Sequence, residues 1–342
     1  MTAQSKTLEN KPSLSPAELV DKYPHYFLLA LIAVPAFFAM PFSAWATMTL
    51  SGLAMGLMIF IMSSGMTLTF GLMSVLNLAH GAFIALGAYA AFSMLENWLP
   101  GLWESTNFGA NMVAIVAALV FAMVLAGVLG YVFERLILKP VYGDHLKQIL
   151  VTVGGGIVLI ELVKVFWGPN EYALVRPDAL RGSFVFGDVI LEQYRLLAVV
   201  VGLLVFWGML RVINKTKVGL LIRAGVESTE MVEVQGYRIK QLFIAVFVAG
   251  SALAAVGGVM WGMYQELVVS TIGDHMLVMV IIVIIIGGLG SITGCFFGAV
   301  LVGLLYNYVG YLFPHFTEFS AITLMVLVLM WRPQGLIPVI KV

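Results

Sequence analysis

The chain has 342 residues, of which 61% are hydrophobic and 11% charged, and its mean hydropathy is +1.02. These values lie outside the range of ordinary soluble domains and predict an integral membrane protein. The 18 basic and 18 acidic side chains balance, so the net charge gives no indication of a nucleic-acid partner. The single cysteine, Cys295, excludes an internal disulfide and a thiolate metal cluster.

The first 25 residues are polar and contain three prolines, in contrast to the apolar chain that follows. A cleavable signal peptide would place its apolar core nearer the start and end in small residues at a cleavage site. Here the first apolar run, 26–42, is followed directly by a second one. We therefore expect residues 1–25 to be a retained cytoplasmic tail, followed by a single membrane domain over residues 26–338.

Ten apolar segments follow the tail. A helix needs ~20 apolar residues to cross ~30 Å of hydrocarbon. The third, eighth and tenth segments are shorter and are candidates for re-entrant or broken helices. The expected fold is therefore an all-α polytopic membrane protein with about 8–10 transmembrane or re-entrant helices. The segments are 26–42, 46–70, 80–95, 111–138, 149–167, 196–213, 241–263, 276–289, 294–313 and 319–331.

The basic residues are distributed unequally between the two sets of alternating connections. Fourteen of the 18 lie in the tail and in the connections on the same side. The opposite connections hold Arg176, Arg181 and Arg195, and Lys164 lies within a segment. Because basic residues are retained on the cytoplasmic side, this pattern predicts that both termini are cytoplasmic. A re-entrant pair in place of two crossings fits the same pattern, so the number of crossings stays open.

Small residues recur at helical spacing in several segments. Helices in lipid associate through such residues, because they let two backbones approach closely. The evenly spaced positions are therefore predicted packing seams. They are Gly250, Ala254, Gly258 and Gly262; Ala118, Ala122, Ala126 and Gly130; and Gly52 with Gly56.

Glycines also occur in clusters, over residues 71–87, 154–156 and 287–294. Clustered glycines let the backbone leave the helix, which a membrane tolerates only beside protein or a water-filled cavity. Transporters commonly place substrate at such broken helices. We therefore expect a translocation path beside these clusters, with Gly288, Gly290 and Ser291 as the candidates in the third.

The stretch FGLMSVLNLAHGAF, residues 70–83, places Ser74, Asn77 and His80 in apolar surroundings, with Gly81 next to them. On a continuous helix these polar side chains would lie along one face, and facing lipid they would be costly. Two interpretations remain open. The residues either line or gate the translocation path, or they cap helix ends and bridge neighbouring helices near the cytoplasmic interface.

Ionisable residues are scarce inside the segments. Glu161 and Lys164 are spaced for mutual neutralisation on one helix face, and residues 275–317 contain no Asp, Glu, Lys or Arg. A proton relay would need several such groups, so ion-coupled pumping is disfavoured. The chain also lacks a phosphate-binding loop and the common hydrolase motifs. Any energy input is therefore expected from a partner.

The longest cytoplasmic connection, 211–240, reads RVINKTKVGLLIRAGVESTEMVEVQGYRIK. Apolar residues alternate there with Arg223, Glu227 and Glu230, which predicts a short amphipathic helix ended by Gly236. Such a helix either lies on the lipid surface or docks to a soluble partner. The acidic residues favour the partner, because anionic lipid would repel them.

Four stretches together resemble one known family. GLMSVLNLAHGAFIALGAYAAF is similar to the signature of permease subunits of branched-chain amino acid ABC importers. RAGVESTEMVEVQGYRI resembles the cytoplasmic coupling segment of that family. GGLGSITGCFFGA and RPQGLIP are similar to its late glycine motif and its closing motif, so that the resemblance spans residues 50–338.

The resemblance implies a second permease, two ATP-binding subunits and an extracytoplasmic solute-binding protein as partners, in a bacterial-type inner membrane. It implies that Arg223, Glu227, Glu230 and Gly236 contact the ATPase, and that Asn77, His80 and Gly81 lie on the path. No catalytic residue, metal site or cofactor is indicated. The family also includes permeases that resemble those for urea and amides. A facilitator channel for a small neutral solute such as urea stays open as an alternative, and a membrane-embedded enzyme is disfavoured.

Overall fold

The computed structural model describes residues 23–74 and 76–338, apart from the side chains of residues 226, 227, 229 and 230. Most of the predicted tail, residues 1–22, therefore lies outside the described chain. Each of the ten predicted apolar segments contains a helix. Within the described residues, seven helices are long and apolar enough to cross a membrane. The prediction of an all-α polytopic membrane protein is confirmed.

The main helices are α1 (Pro24–Ala39), α2 (Phe42–Met73), α3 (His80–Phe92), α4 (Pro100–Trp103), α5 (Phe108–Phe133), α6 (His145–Trp167), α7 (Asp178–Arg181), α8 (Gln193–Lys215), α9 (Lys217–Glu227), α10 (Thr229–Val234), α11 (Ile239–Gln265), α12 (Ile272–Gly287), α13 (Ile292–Leu312) and α14 (Thr317–Trp331). π-helical turns follow α3 (Ser93–Trp98) and α5 (Glu134–Leu138), and 3₁₀ turns occur at Lys139–Val141 and Pro314–Phe316.

Short strands lie at one end of the helices. Strands β2 (Ser183–Phe186) and β3 (Val189–Glu192) form an antiparallel hairpin, and β1 (Tyr172–Ala173) pairs with β4 (Leu267–Val268). Helix α8 begins directly after β3 and ends directly before α9, so α9 and α10 lie at the opposite end of the bundle. We call these two ends the hairpin face and the short-helix face.

Two of the apolar helices, α3 and α12, begin inside the bundle, and we call them the half-helices. The 16 residues of α12 rise about 24 Å, less than the hydrocarbon thickness, and the 13 residues of α3 rise about 20 Å before the π-helical turn Ser93–Trp98 continues the helix. Each follows a long helix that ends in a left-handed residue, Ser74 (φ 52°) after α2 and Glu266 (φ 53°) after α11. The interval from Ser74 to the start of α3 equals that from Glu266 to the start of α12. The eighth segment is short, as predicted, whereas the helix of the third segment continues through the π-helical turn to Trp98.

The two half-helices meet by their first turns near the middle of the bundle. A β-carbon at Gly81 would lie 2.7 Å from the carbonyl oxygen of Gly273, and one at Gly273 would lie 2.1 Å from that of Gly81. From this contact α3 runs to the hairpin face, where the rings of Phe92 and Tyr172 pack against each other at a tilt, and α12 runs to the short-helix face. The chain segments that precede them, 74–79 (without residue 75, which is not described) and 266–271, therefore re-enter the bundle from opposite faces.

Helix α2 lies at the centre of the bundle and makes its most extensive contacts with α13 and α11. The helices touch at glycine positions, in agreement with the predicted packing seams. A β-carbon at Gly56 would lie 2.6 Å from the carbonyl oxygen of Ala299, and one at Gly65 would lie 2.3 Å from that of Gly250. Gly258 of α11 approaches the carbonyl oxygen of Ile84 in α3. Such close approach maximises dispersion contacts, which replace the hydrophobic effect between helices in lipid.

Two expectations need correction. The glycine cluster 154–156 does not break its helix, because α6 is continuous from His145 to Trp167, and Gly155 and Gly156 instead pack against Phe133 and Ala79. The tenth segment is not short, because α14 and the turn before it form an apolar helix from Pro314 to Trp331. In α6, the predicted pair of Glu161 and Lys164 is confirmed, with 2.7 Å between Oε1 and Nζ.

Candidate functional site

The predicted pathway residues of the first motif do not share a helix face. Residues 74 and 76–79 lie outside the helices, so Ser74 ends α2 while His80 begins α3. The Asn77 side chain accepts a hydrogen bond from the Ala79 amide (3.1 Å), which shapes the turn before α3. The one-face prediction assumed a continuous helix, and the left-handed conformation of Ser74 interrupts it.

His80 bridges the half-helix α3 to the central helix α2. Its Nε2 lies 2.9 Å from the carbonyl oxygen of Met62, so Nε2 carries the donated proton. The imidazole is fully buried and Asn77 is 1% exposed, whereas Ser74 is exposed. In this conformation Asn77 and His80 hold the break in place from inside the protein, and Ser74 is the member of the motif that reaches the surface.

The predicted residues of the third glycine cluster divide between two environments. Gly288 (φ +102°) lies against the C-terminal stretch, where Leu336 and Ile337 donate to the carbonyl oxygens of Ile286 (2.9 Å) and Gly287 (3.0 Å). The Ser291 side chain accepts from the Gly294 amide (3.1 Å) and caps α13. These contacts give Gly288 and Ser291 structural roles.

Ser74 and Gly290 come together at the short-helix face. They lie in one cavity of about 320 Å³, and a β-carbon at Gly290 would lie 3.0 Å from the Gly71 α-carbon. The cavity is lined by Phe70, Gly71, Ser74, Ile285, Leu289, Gly290, Leu329, Pro333, Gln334 and Pro338. The first and third predicted clusters therefore meet here, although they are more than 200 residues apart in sequence.

An exposed stripe along α12 continues from this cavity toward the centre of the bundle. Its residues recur at helical spacing and are at least partly exposed: Asp274, Val278, Ile281, Ile285 and Leu289. Asp274 and the exposed neighbouring His275 lie in the first turn of α12, next to the Gly81–Gly273 contact. The stripe is otherwise apolar, so it has an ionisable inner end and an apolar outer half.

Sequence reasoning missed Asp274 and His275, because the apolar segment was expected to begin at residue 276. The signal that could have located them is in the sequence: Gly273 is followed directly by two ionisable residues, and no loop-like stretch separates these from the apolar segment. Only the position of the α12 start, beside Gly81, puts them at membrane depth.

An ion-pair network at the hairpin face holds the second re-entrant segment. Glu266 Oε1 lies 2.8 Å from Nε of Arg176 and 3.4 Å from Nε of Arg181, and Glu192 pairs with Arg195 at 3.0 Å. Burial would raise the pKa of the Glu266 carboxyl, but the hydrogen bonds and charges of the two arginines lower it below its usual range. The network ties residues 176–195 to the end of α11.

The segment 211–240 contains two short helices rather than one. Helix α9 ends at Glu227, and Ser228 caps α10 by accepting from the Met231 amide (3.2 Å). Gly236 (φ +86°) follows α10, as predicted for a helix end. The side chains of Glu227 and Glu230 lie outside the description.

The outer surface of α9 and α10 is partly apolar. Leu220, Met231 and Val234 are 61%, 62% and 84% exposed, and Arg223 is exposed beside them. On the inner side, a β-carbon at Gly225 would lie 2.6 Å from Cδ1 of Leu72, near the end of α2. The two helices therefore connect an unpartnered apolar surface with the residues just before the Ser74 break.

Residues 48–331 match the family model described as "Branched-chain amino acid transport system / permease component". The chain belongs to this permease family. The match covers the central helix α2, both half-helices and the segment 211–240, so the recognition made from the motifs is confirmed.

Curated members of the permease family are similar over most of the chain. BraD of Pseudomonas aeruginosa, a high-affinity branched-chain amino acid transport system permease protein, is 28% identical over 294 residues, which cover 84% of this chain and 94% of BraD. LivH of Escherichia coli is 25% identical over 84% of this chain and 93% of its own length. LivM of the same organism is 27% identical over 92% of this chain and 75% of its own length. No solved structure matches the chain.

These relatives are permease subunits of transport systems and not enzymes, as the sequence predicted. This chain is therefore a multi-pass transmembrane protein of a transport permease family. Among the described residues, no three His, Cys, Asp or Glu side chains form a group that would hold a metal ion.

Proposed function

We propose that this chain is the membrane subunit of an ATP-binding-cassette importer for branched-chain amino acids or a similar small polar solute. The observation that carries the proposal is the family match over residues 48–331, which includes two half-helices meeting at Gly81 and Gly273. Half-helices that meet inside the membrane are typical of transporters, because their ends are available to a substrate path.

The path runs along the exposed stripe of α12. A second permease subunit, identical or homologous, covers this stripe, since Asp274 and His275 would be costly against lipid. Two permeases of Escherichia coli, LivH and LivM, both resemble this chain, which supports a homologous partner. Ser74 and Gly290 lie at the cytoplasmic end of the path, and the buried Asn77, His80 and Gly81 support it from behind.

Two ATP-binding subunits dock on the short-helix face and a solute-binding protein docks on the hairpin face. The exposed Leu220, Met231 and Val234 supply an apolar anchor for an ATPase, and Arg223, Glu227, Glu230 and Gly236 belong to the same segment. This orientation makes both termini cytoplasmic in a bacterial-type inner membrane, in agreement with the basic residues of 211–240.

Coupling follows from the contact of α9 with α2. Closure of the ATPase dimer moves α9 and α10, and the Gly225–Leu72 contact passes that movement to the end of α2. Because Ser74 interrupts the helix two residues later, the movement changes the cavity that contains Ser74 and Gly290. Alternating access results when this cavity opens while the hairpin face closes.

The test is co-purification followed by reconstitution. The chain, expressed with its neighbouring genes, should co-purify with an ATPase and support leucine uptake into liposomes only with ATP and a loaded binding protein. Glu227→Lys with Glu230→Lys should uncouple hydrolysis from uptake while membrane insertion is unchanged; Glu227→Asp with Glu230→Asp, which keeps both charges, is the matched control. Rapid solute flux through the isolated chain without ATP would instead identify a facilitator channel and overturn the proposal.

A further inference from the structure

The first turn of α12 presents ionisable side chains where a membrane helix normally presents apolar ones. Asp274 and His275 are both exposed. Within the described residues, neither side chain has a hydrogen-bond or ion-pair partner. Their exposure therefore does not result from a need to satisfy another group of the same chain.

The depth of these residues follows from helix contacts. Gly273 touches Gly81, and the following turn of α3 reaches Gly258 of α11 through Ile84. Gly258 is inside a 27-residue helix that spans about 40 Å. Asp274 therefore lies well inside the bundle rather than in a surface loop. A carboxylate at such depth must face water, protein or a solute, because exposure to lipid costs several kcal/mol.

The repeated architecture shows that packing does not require a carboxylate here. The first half-helix has Gly81, Ala82 and Phe83 where the second has Gly273, Asp274 and His275. Ala82 is 5% exposed and Phe83 is fully buried. The same position in the same kind of helix is thus apolar and covered in one copy, and ionisable and open in the other.

We propose that the Asp274 carboxylate binds the ammonium group of the solute as it passes, with His275 as a neighbouring hydrogen-bonding group. This inference rests on the proposed function and assigns to the path a solute class with a cationic amino group. Toward the cytoplasm the stripe continues with Val278, Ile281 and Ile285, which suits the apolar side chain of such a solute. Release follows at the cavity that contains Ser74.

A charge-removing substitution in the assembled importer tests the proposal. Asp274→Asn should lower leucine uptake per ATP hydrolysed by about tenfold, the effect of losing one charge-assisted hydrogen bond, while the loaded binding protein still stimulates hydrolysis. Glu161→Gln, on α6 and away from the α12 stripe and both docking faces, removes an exposed carboxylate elsewhere and should leave uptake unchanged. Uptake by Asp274→Asn at the wild-type rate would overturn the proposal.

Charge rescue separates solute binding from a structural role. Asp274→Cys, assembled first and then modified with an anionic sulfonatoethyl methanethiosulfonate, should regain uptake; the cationic trimethylammonium reagent should not restore it. The native Cys295 is fully buried and is not expected to react. Equal effects of the two reagents, or no labelling from the aqueous phase, would contradict the assignment. If the wild-type importer shows no ATP-dependent uptake, that result would instead count against the proposed function.

Discussion

The two re-entrant segments, 74–79 without the undescribed residue 75 and 266–271, both begin with a left-handed residue but lie in opposite environments. The first is closed: Asn77 and His80 are buried and their hydrogen bonds run to Ala79 and Met62. The second is open: Glu266 is fixed by arginines at the hairpin face, and Asp274 is exposed at the inner end. The repeated left-handed residue interrupts the helix in both places, and in the proposed path the side chains decide which break meets the solute.

The largest expected effect comes from separating the two half-helices. Gly273→Val places a side chain where a β-carbon alone would lie 2.1 Å from the Gly81 carbonyl oxygen, and neither backbone can move away. We expect a loss of folded protein, since overpacking costs typically ~1–3 kcal/mol and more against a rigid backbone. Size-exclusion chromatography of the detergent-solubilised protein measures it.

Gly154→Ala is the control for this prediction, because a β-carbon at Gly154 meets nothing within 4 Å. It should be tolerated. A monodisperse Gly273→Val protein with normal thermal stability would show that the Gly81–Gly273 contact does not hold the half-helices together.

An intermediate effect is expected when the closed break loses its bridge. His80→Leu removes the hydrogen bond from Nε2 to the Met62 carbonyl oxygen, which links α3 to α2, at a cost of about 0.5–1.5 kcal/mol. The melting temperature should fall, while uptake per ATP at a permissive temperature stays near the wild-type value, in contrast to Asp274→Asn.

His315→Leu, at an exposed position before α14, is the control and should leave the melting temperature unchanged. A changed solute preference in His80→Leu, with unchanged stability, would mean that the first break also contacts the solute.

The smallest effect is expected at the hairpin face. Glu266→Gln removes the ionic pairing with Arg176 and Arg181 and should lower stability by about 1 kcal/mol or less, as for partly exposed pairs. Because the folded-state pKa of Glu266 is lowered, this stabilisation is complete above the unfolded carboxyl pKa of ~4.3 and is lost as the pH falls below it.

Melting curves of wild type and Glu266→Gln at pH 7 and at acidic pH check the direction of this pH dependence. The difference in melting temperature between the two proteins should shrink on acidification. A difference that grows at low pH would assign the stabilisation to groups other than this carboxylate.

Local sequence signals predicted much of the fold and part of the site. Hydropathy located all ten apolar segments, because membrane insertion depends on the composition of each stretch. The regular spacing of small residues predicted the packing seams at Gly56 and Gly250, because small residues on one helix face let a second helix approach closely. The motif at 70–83 identified a region with a break, but its residues were placed on one helix face because no local signal reports a left-handed Ser74.

By itself, the sequence determined the membrane class, the helical segments and the permease family, because hydropathy and motif spacing are local properties of the chain. Only the tertiary structure decided that Ser74 meets Gly290, that Asn77 and His80 are covered, and that Asp274 is exposed at depth. Each of these depends on contacts between residues far apart in the chain, above all Gly81 with Gly273, whose approach sets where the half-helices begin.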